Sequence, residues 1–385
     1  MTMDPRILDL RARLHDCPEL SGHEVNTFNI IEDFLRTHTT LTVERRPEGL
    51  LATHWEGEGL ETLGFRADVD AIPMEGNPTC ACHGCGHDGH SAILCALALA
   101  TEGRRYGKNL YFIFQPAEET GEGARRICET WPEIGTLHRI YGLHNIPGHP
   151  LGTLLARPGC FACASQGFIA DVQGRPAHAA YPGDGANPAG LLCQTVLALP
   201  QMTEDILRGD DRLLMHTVIG LRVGGENFGL SASEGRLCLT LRGHRQSDID
   251  ALAQAIRATL ERGDMTAAFE SRDVFPDTTN PADITQEAVA RWRASGLSVR
   301  MLEAPMRWSE DFGWYLKRVP GMFFGVGIGE NHPGLHTADY CFDDRVIPPA
   351  VAAFMALLEK NSVILVNWDL SGRGVSPTNR NLSCH

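Results

Sequence analysis

The chain has 385 residues and carries 34 Lys+Arg against 48 Asp+Glu, a formal net charge of −14. With 43% hydrophobic and 21% charged residues it lies outside the composition of disorder, and its length calls for about two domains rather than one core. The acidic balance, without a basic run or an array of stacking aromatics, excludes nucleic acid and anionic membrane as main partners and points to a small molecule.

The N-terminus, MTMDPRILDLRARLHDCPEL, carries acids and arginines where a secretory signal needs an apolar stretch, so the expected location is cytoplasmic. The first strand-like run, ETLGF at 61–65, leads to Arg66, Asp68 and Asp70. A loop dense in Cys and His follows at 79–90, and then a helical pattern at 91–104. Its apolar part, SAILCALALA, is half the ~20 residues that span a bilayer, and no transmembrane segment is expected. NLYFIF at 109–114 leads to Gln115, Pro116, Glu118 and Glu119, and RIYGL at 139–143 leads to His144 and Asn145.

The middle of the chain changes character. Strand-like 165–175, helix-like 187–202, strands at 213–223 and 235–245, helix 248–263 and strand 265–274 make a β-α-β-β-α-β order, the pattern of a ferredoxin-like unit. A helix at 309–318 then precedes MFFGVGI at 322–328, which leads to Glu330, His332 and His336. The last stretch, 367–385, lacks periodicity and reads as a mobile tail. Short buried runs alternating with helices predict an α/β fold with a mainly parallel sheet, whose polar clusters converge beyond the strands' carboxyl ends. Residues 1–165 and 276–385 form the catalytic domain of this reading, interrupted by an inserted domain at 166–275.

In a cytoplasmic chain the twelve cysteines are not a disulfide framework, and Cys95, Cys193 and Cys238 read as small buried hydrophobes. The segment TCACHGCGHDGH is the exception, with Cys80, Cys82, His83, Cys85, His87 and His90 in one loop. Thiolate and imidazole at this density imply a transition metal. The loop is either a structural zinc site closed locally or a catalytic site that takes one or two ligands here and the rest from distant strand ends. Its spacing lacks the paired CxxC of a structural site, which favours the second. The pair Glu118 and Glu119 is either surface charge or a ligand beside a base. His144 and His336 each sit just past a strand and offer the imidazoles a mixed site needs. Asp68 and Asp70 either orient a ligand histidine or stabilise a turn, with Asp68 preferred for orientation.

The segments FRADVDAIP (65–73), HGCGHDGHSA (83–92), FQPAEETGEGA (114–124), GLHNIPGHPLGTLLARPG (142–159), GRPAHAAYP (174–182), WSEDFGWYL (308–316) and GLHTADYCFDD (334–344), with LRARLHDCPELSGHE (10–24), are in register over almost the whole chain. They resemble the boxes of the metal-dependent amidohydrolase family that contains hippurate hydrolase, N-acyl-amino-acid amidohydrolases and plant auxin-conjugate hydrolases. The resemblance implies two divalent ions, Mn2+ first with Zn2+ or Co2+ as alternatives, held by Cys85, His87, Glu119, His144 and His336. It also implies Glu118 as general base and an inserted lid and dimerisation domain that brings His178 to the substrate. Asn227, in GGENFGLSASEG, stands where the family has a substrate contact. Arg66 replaces the ligand histidine of the wider superfamily, and MRWSEDF introduces Arg307 and Trp308 near the substrate region. The expected reaction is hydrolysis of the amide of a small N-acyl or N-aroyl amino acid by a homodimer. A hydrolytic deaminase, an aminopeptidase-like enzyme and a metal-stabilised binding protein without turnover are the alternatives.

Overall fold

The computed structural model describes residues 3–74, 76–262 and 264–358, so the stretch 367–385 lies outside the described residues. Among the described residues the strands are β1 (Thr42–Arg46), β2 (Gly49–His54), β3 (Glu61–Asp68), β4 (Ile72–Met74), β5 (Asn77–Cys82), β6 (Lys108–Gln115), β7 (Arg139–Ile146), β8 (Leu154–Ala156), β9 (Gly159–Ala162), β10 (Ala164–Gln173), β11 (Ala177–His178), β12 (Leu214–Val223), β13 (Leu230–Ser231), β14 (Glu234–Gly243), β15 (Thr266–Phe275), β16 (Thr278–Asn280), β17 (Val299–Met301) and β18 (Gly321–Gly327). The helices are α1 (Pro5–His15), α2 (Val25–His38), α3 (His87–Thr101), α4 (Gly123–Thr130), α5 (Ala189–Leu207), α6 (Gln246–Leu260), α7 (Ala282–Ala294), α8 (Gly313–Leu316) and α9 (Ile347–Leu358).

The large sheet runs β1-β2-β6-β3-β7-β18-β8-β17. Its centre, β6-β3-β7-β18, is parallel throughout. These are the four strands predicted from the apolar runs. β6 shows why the runs look continuous: Leu110, Phe112 and Phe114 enter the core beneath α1, α2, α3, α7 and α9, whereas Tyr111 and Ile113 enter a second core with Ala124 and Ile127 of α4. Successive residues face opposite sides of a strand, so a strand covered on both sides must be apolar at every position. Each fully buried side chain of this size contributes about 1.5–3 kcal/mol.

A second sheet has the antiparallel order β12-β14-β10-β15. With α5 and α6 on one face it has the connectivity of a ferredoxin-like unit, and its own core includes Phe168, Leu192, Leu237, Leu239, Ile249 and Ile256. The chain leaves the large sheet through β9 and returns through β16, and those two strands pair as a narrow antiparallel neck.

Two expectations need correction. The helix at 309–318 shrinks to Gly313–Leu316, because the backbone N–H of Asp311 goes to the Glu118 carboxylate at 3.3 Å and Thr278 donates to the Glu310 carbonyl at 3.1 Å. Cys193 is exposed on α5 and Cys238 is half-buried, while Cys95 is fully buried as expected. No helix among the described residues is long and apolar enough to cross a membrane.

Candidate metal centre

The parallel centre of the sheet ends all its strands on one edge, and the polar residues after β3, β6 and β7 meet there. Cys85 and His87 come from the loop that enters α3. Gly86 between them has φ +87°, and a Cβ there would lie 2.4 Å from the Tyr340 hydroxyl and 2.6 Å from Asn145 Oδ1, so the turn between these two side chains requires glycine. After β6 the chain turns at Ala117, a non-glycine residue at φ 53°, held by its N–H to Glu24 Oε1 at 2.8 Å. Beyond that turn the two glutamates diverge. Glu119 faces Cys85, His87 and His336, and Glu118 faces Glu310 and Asp311.

Cys85 Sγ lies 2.5 Å from Glu119 Oε1 and 2.7 Å from His336 Nε2, so three lone-pair carriers crowd one point. His87 Nε2 is buried without a hydrogen-bond partner, 3.7 Å from both Glu119 Oε1 and Asp68 Oδ2. That spacing is close to the roughly 3.4–3.7 Å between donors that share an ion at about 2.1 Å. His87 Nδ1 lies 3.0 Å from the Asp70 carbonyl and 3.1 Å from Asp70 Oδ1, both acceptors, which leaves Nε2 as the lone pair. His144 repeats the pattern, with Nδ1 on the Asn145 carbonyl at 2.8 Å. Residues of these types, with this orphaned nitrogen, fit divalent metal.

The electrostatics agree with the donor set. Burial opposes a charged His87, yet Asp68, Asp70 and Glu119 outweigh it and lift the imidazole to about 10. Burial, with Glu119, Glu118 and Asp70, pushes the Cys85 thiol far above its ordinary range. Burial and His90 hold His144 well below the usual imidazole range, which keeps the ring neutral. The pocket favours a positive charge among its carboxylates, and a thiol this high ionises only beside a cation.

Next to this set lies a buried acidic group. Glu118 is pushed well above the carboxylate range by burial, Glu310, Glu119 and Asp311. Burial raises Glu310 to about 8 and Asp311 to about 6 against the pull of Arg66. Arg66 is itself buried, with contacts of 2.8 Å to Asp68, 2.8 Å to Asp311 and 3.1 Å to Glu310.

The sequence profile of peptidase family M20/M25/M40 matches residues 64–360. The chain belongs to this family. It is accordingly a hydrolase of amide carbon–nitrogen bonds. Among curated M20 relatives, an N-acetyldiaminopimelate deacetylase of Lacticaseibacillus casei is 28% identical over 378 residues, covering 92% of this chain and 97% of its own. A solved chain from methicillin-resistant Staphylococcus aureus superposes with a TM-score of 0.84 at 24% identity, over 93% of this chain and 97% of that one. A Bacillus subtilis protein described as a dinuclear metal-binding peptidase of the M20 family gives 0.76 at 23% identity, over 92% and 96%.

Against this M20 fold each expected residue has a place. Cys85, His87, Glu119 and His336 come together around one point, with His144 behind His87 at 5.8 Å between ring centroids. Cys80 and Cys82 stay on β5, and His83 bonds the Leu14 carbonyl at 3.0 Å. Asp68 bonds His90 Nδ1 at 2.6 Å and Arg66, so the carboxylate that orients His87 is Asp70. His90 uses both ring nitrogens, the other on Asn145 Oδ1 at 2.6 Å. Two expected residues stand apart. His178, on the small β11–β13 ribbon, and Asn227, in the loop that leads into β13, are both exposed; Nδ1 of His178 accepts from the Ala180 N–H and Asn227 Oδ1 accepts from the Gly229 N–H. Glu310 and Asp311 are hidden in the sequence because SEDFGWYL scans as a helix. The signals present were the adjacent acids in an otherwise apolar stretch and their place in the WSEDFGWYL box. Trp308 packs 5.3 Å from the His144 ring, and Arg307 is exposed.

Proposed function

We propose that the chain hydrolyses the amide of a small N-acyl or N-aroyl amino acid. The observation that carries this reading is the unpartnered His87 Nε2 opposite Cys85, Glu119 and His336, with the buried Glu118 carboxyl alongside. Two divalent ions held by Cys85, His87, Glu119, His144 and His336, manganese first and zinc or cobalt as alternatives, would supply Lewis acidity and a water of lowered pKa. Glu118 takes a proton from the attacking water and returns it to the leaving nitrogen. Asp311 holds it by a backbone N–H at 3.3 Å, and Asp68 fixes Arg66 against the same acids.

The unit at 166–275 acts as a lid and dimerisation domain on a discontinuous catalytic domain, 1–165 with 276–385. Its edge strand β12 exposes Val218, Ile219 and Leu221, which supports pairing of two copies. His178 would donate to the developing oxyanion and Asn227 would touch substrate when the unit closes or a second copy approaches. The names of the relatives make N-acetyldiaminopimelate a rational first compound.

The test is a panel of N-acetyl and N-benzoyl amino acids, including N-acetyldiaminopimelate and hippurate, with the metal-loaded protein before and after chelation. Release of free amine that stops on chelation and returns on re-addition of metal is expected. A fully metal-loaded protein inert to every amide in the panel would overturn the reading.

A further inference from the structure

One aromatic side chain stands at the metal centre without a part in the hydrolysis. The ring centroid of Trp308 lies 5.3 Å from that of His144, with 44° between the planes, and 6.3 Å from that of the fully buried Phe161, at 73°. The other rings close to His144 are His90 at 4.6 Å and His87 at 5.8 Å, so Trp308 is the apolar one of the three. Trp131 and Trp292 are buried in the cores, whereas Trp308 is half-buried and keeps part of its surface open. Ligand sites pair a few placed polar groups with apolar walls, and Cys85, His87, Glu119 and His144 supply only the first.

The backbone holds this ring in place from two sides. Residues 306–308 run alongside β9: the Met306 N–H donates to the Phe161 carbonyl at 2.7 Å, and the Cys163 N–H donates to the carbonyls of Met306 at 3.2 Å and Trp308 at 3.1 Å. From the second sheet, Arg242 donates to the Arg307 carbonyl at 2.5 Å and to the Ser309 hydroxyl at 2.8 Å. An indole fixed by its backbone and by Phe161 loses little freedom when a ligand settles on it, and a rigid aromatic contact gains affinity in this way. Which part of a substrate meets the indole follows from the placement of the acids. Glu118 groups with Glu310 and Asp311, and His144 with His87 and His90. The leaving nitrogen turns to Glu118, which returns its proton, so the acyl substituent falls on the His144 side and against Trp308.

We propose that Trp308 determines the acyl specificity of the site and selects substrates whose acyl group is a flat aromatic ring over those with a short acyl chain. This rests on the hydrolytic reading above and narrows it from N-acyl to N-aroyl amino acids. An aroyl ring has a π-face that stacks offset on the indole or meets it edge-on, and the contact removes apolar surface of both partners from water. An acetyl methyl offers no π-face and far less area. A cyclohexane ring supplies the area without the π-face. One methylene in an apolar site already discriminates by about tenfold or more, so a benzoyl ligand should bind at least ~10-fold more tightly than its acetyl counterpart, with cyclohexanecarbonyl between them.

The test uses the full metal-loaded chain carrying Glu118→Gln, so that ligands persist, and titrates N-benzoylglycine, N-cyclohexanecarbonylglycine and N-acetylglycine by calorimetry. Affinity should fall in that order. In the same background Trp308→Ala should shrink the benzoyl-to-acetyl ratio to within about threefold, and Trp308→Phe, which keeps a π-face, should hold most of it. Metal per chain should match the parent in both. Exchanging glycine for phenylalanine in the N-acetyl ligand reads the amine side, and that ratio should not follow Trp308. The proposal is overturned if none of the three ligands binds, if cyclohexanecarbonyl matches benzoyl, if the benzoyl preference survives Trp308→Ala, or if the amine-side ratio changes in its place. It also fails if metal and all three affinities fall together, the mark of a ring that only packs His144. Turnover of the amide panel by the parent with no benzoyl preference in binding removes this proposal and leaves the hydrolase. A Trp308-dependent preference in a parent that turns over no amide keeps the aroyl selectivity and removes the hydrolysis.

Discussion

Replacing Glu118 by Gln separates a catalytic carboxylate from a ligand. Gln keeps the shape of a side chain that is 5% exposed and keeps an acceptor for the Asp311 N–H, so packing is unchanged. It removes the carboxyl proposed to carry a proton between water and the leaving nitrogen. Loss of a general base costs about 10²–10⁴ in rate, or roughly 2.7–5.5 kcal/mol in the barrier. The charge change acts on the fold in the opposite direction. Glu118 is lifted by burial and by Glu310, Glu119 and Asp311, so a neutral amide relieves repulsion that the native chain carries for function. Initial rates at saturating substrate, metal per chain after dialysis and thermal melting of the metal-free protein measure the three consequences. The expected set is a rate down by at least 10²-fold, unchanged metal and a melting temperature equal or higher. A rate within tenfold of the parent, or metal lost in parallel with rate, would refute the reasoning.

Cys85→Ser should lose metal on dialysis as well as activity, since a hydroxyl stays protonated at neutral pH; elemental analysis reads it. Asp70→Asn should weaken metal binding by about 10–100-fold in a chelator competition, because His87 Nδ1 then loses its carboxylate. His178→Ala should keep its metal and lose ~10²–10³ in kcat. Mixing it with Glu118→Gln should restore part of the activity if His178 is delivered from a second copy, and no recovery despite proven subunit exchange excludes delivery in trans. Burial and Asp70 raise Glu24 from the usual 4.5 to about 7. Between those values the folded state holds a proton that the unfolded chain has released, so stability of the metal-free protein falls as pH rises, by up to about 3 kcal/mol. Glu24→Gln should flatten that slope in urea titrations at pH 5 and 7.5.

The four parallel strands and the edge where their polar residues gather were legible in the sequence because both are local. A strand buried on two faces must be an unbroken apolar run, and the residue after it is where a ligand is exposed. The same holds for the β-α-β-β-α-β order of the second sheet, whose periodicities are those of its own helices and strands. Within the Cys/His loop, Cys85 and His87 were singled out only by the family resemblance, and the structure adds that a glycine at φ +87° stands between them. Tertiary structure alone decided which carboxylate serves which imidazole. Asp68 and Asp70 are two residues apart and chemically identical, and only the approach of α3 gives Asp70 to His87 and Asp68 to His90. It also decided that Glu310 and Asp311 leave the helix their sequence favours, because a buried Arg66 and the Glu118 carboxylate offer them more than a helical turn does. His178 and Asn227 show the limit most directly: their positions relative to the metal residues depend on how two sheets joined by a two-strand neck are disposed, and no local pattern encodes that distance.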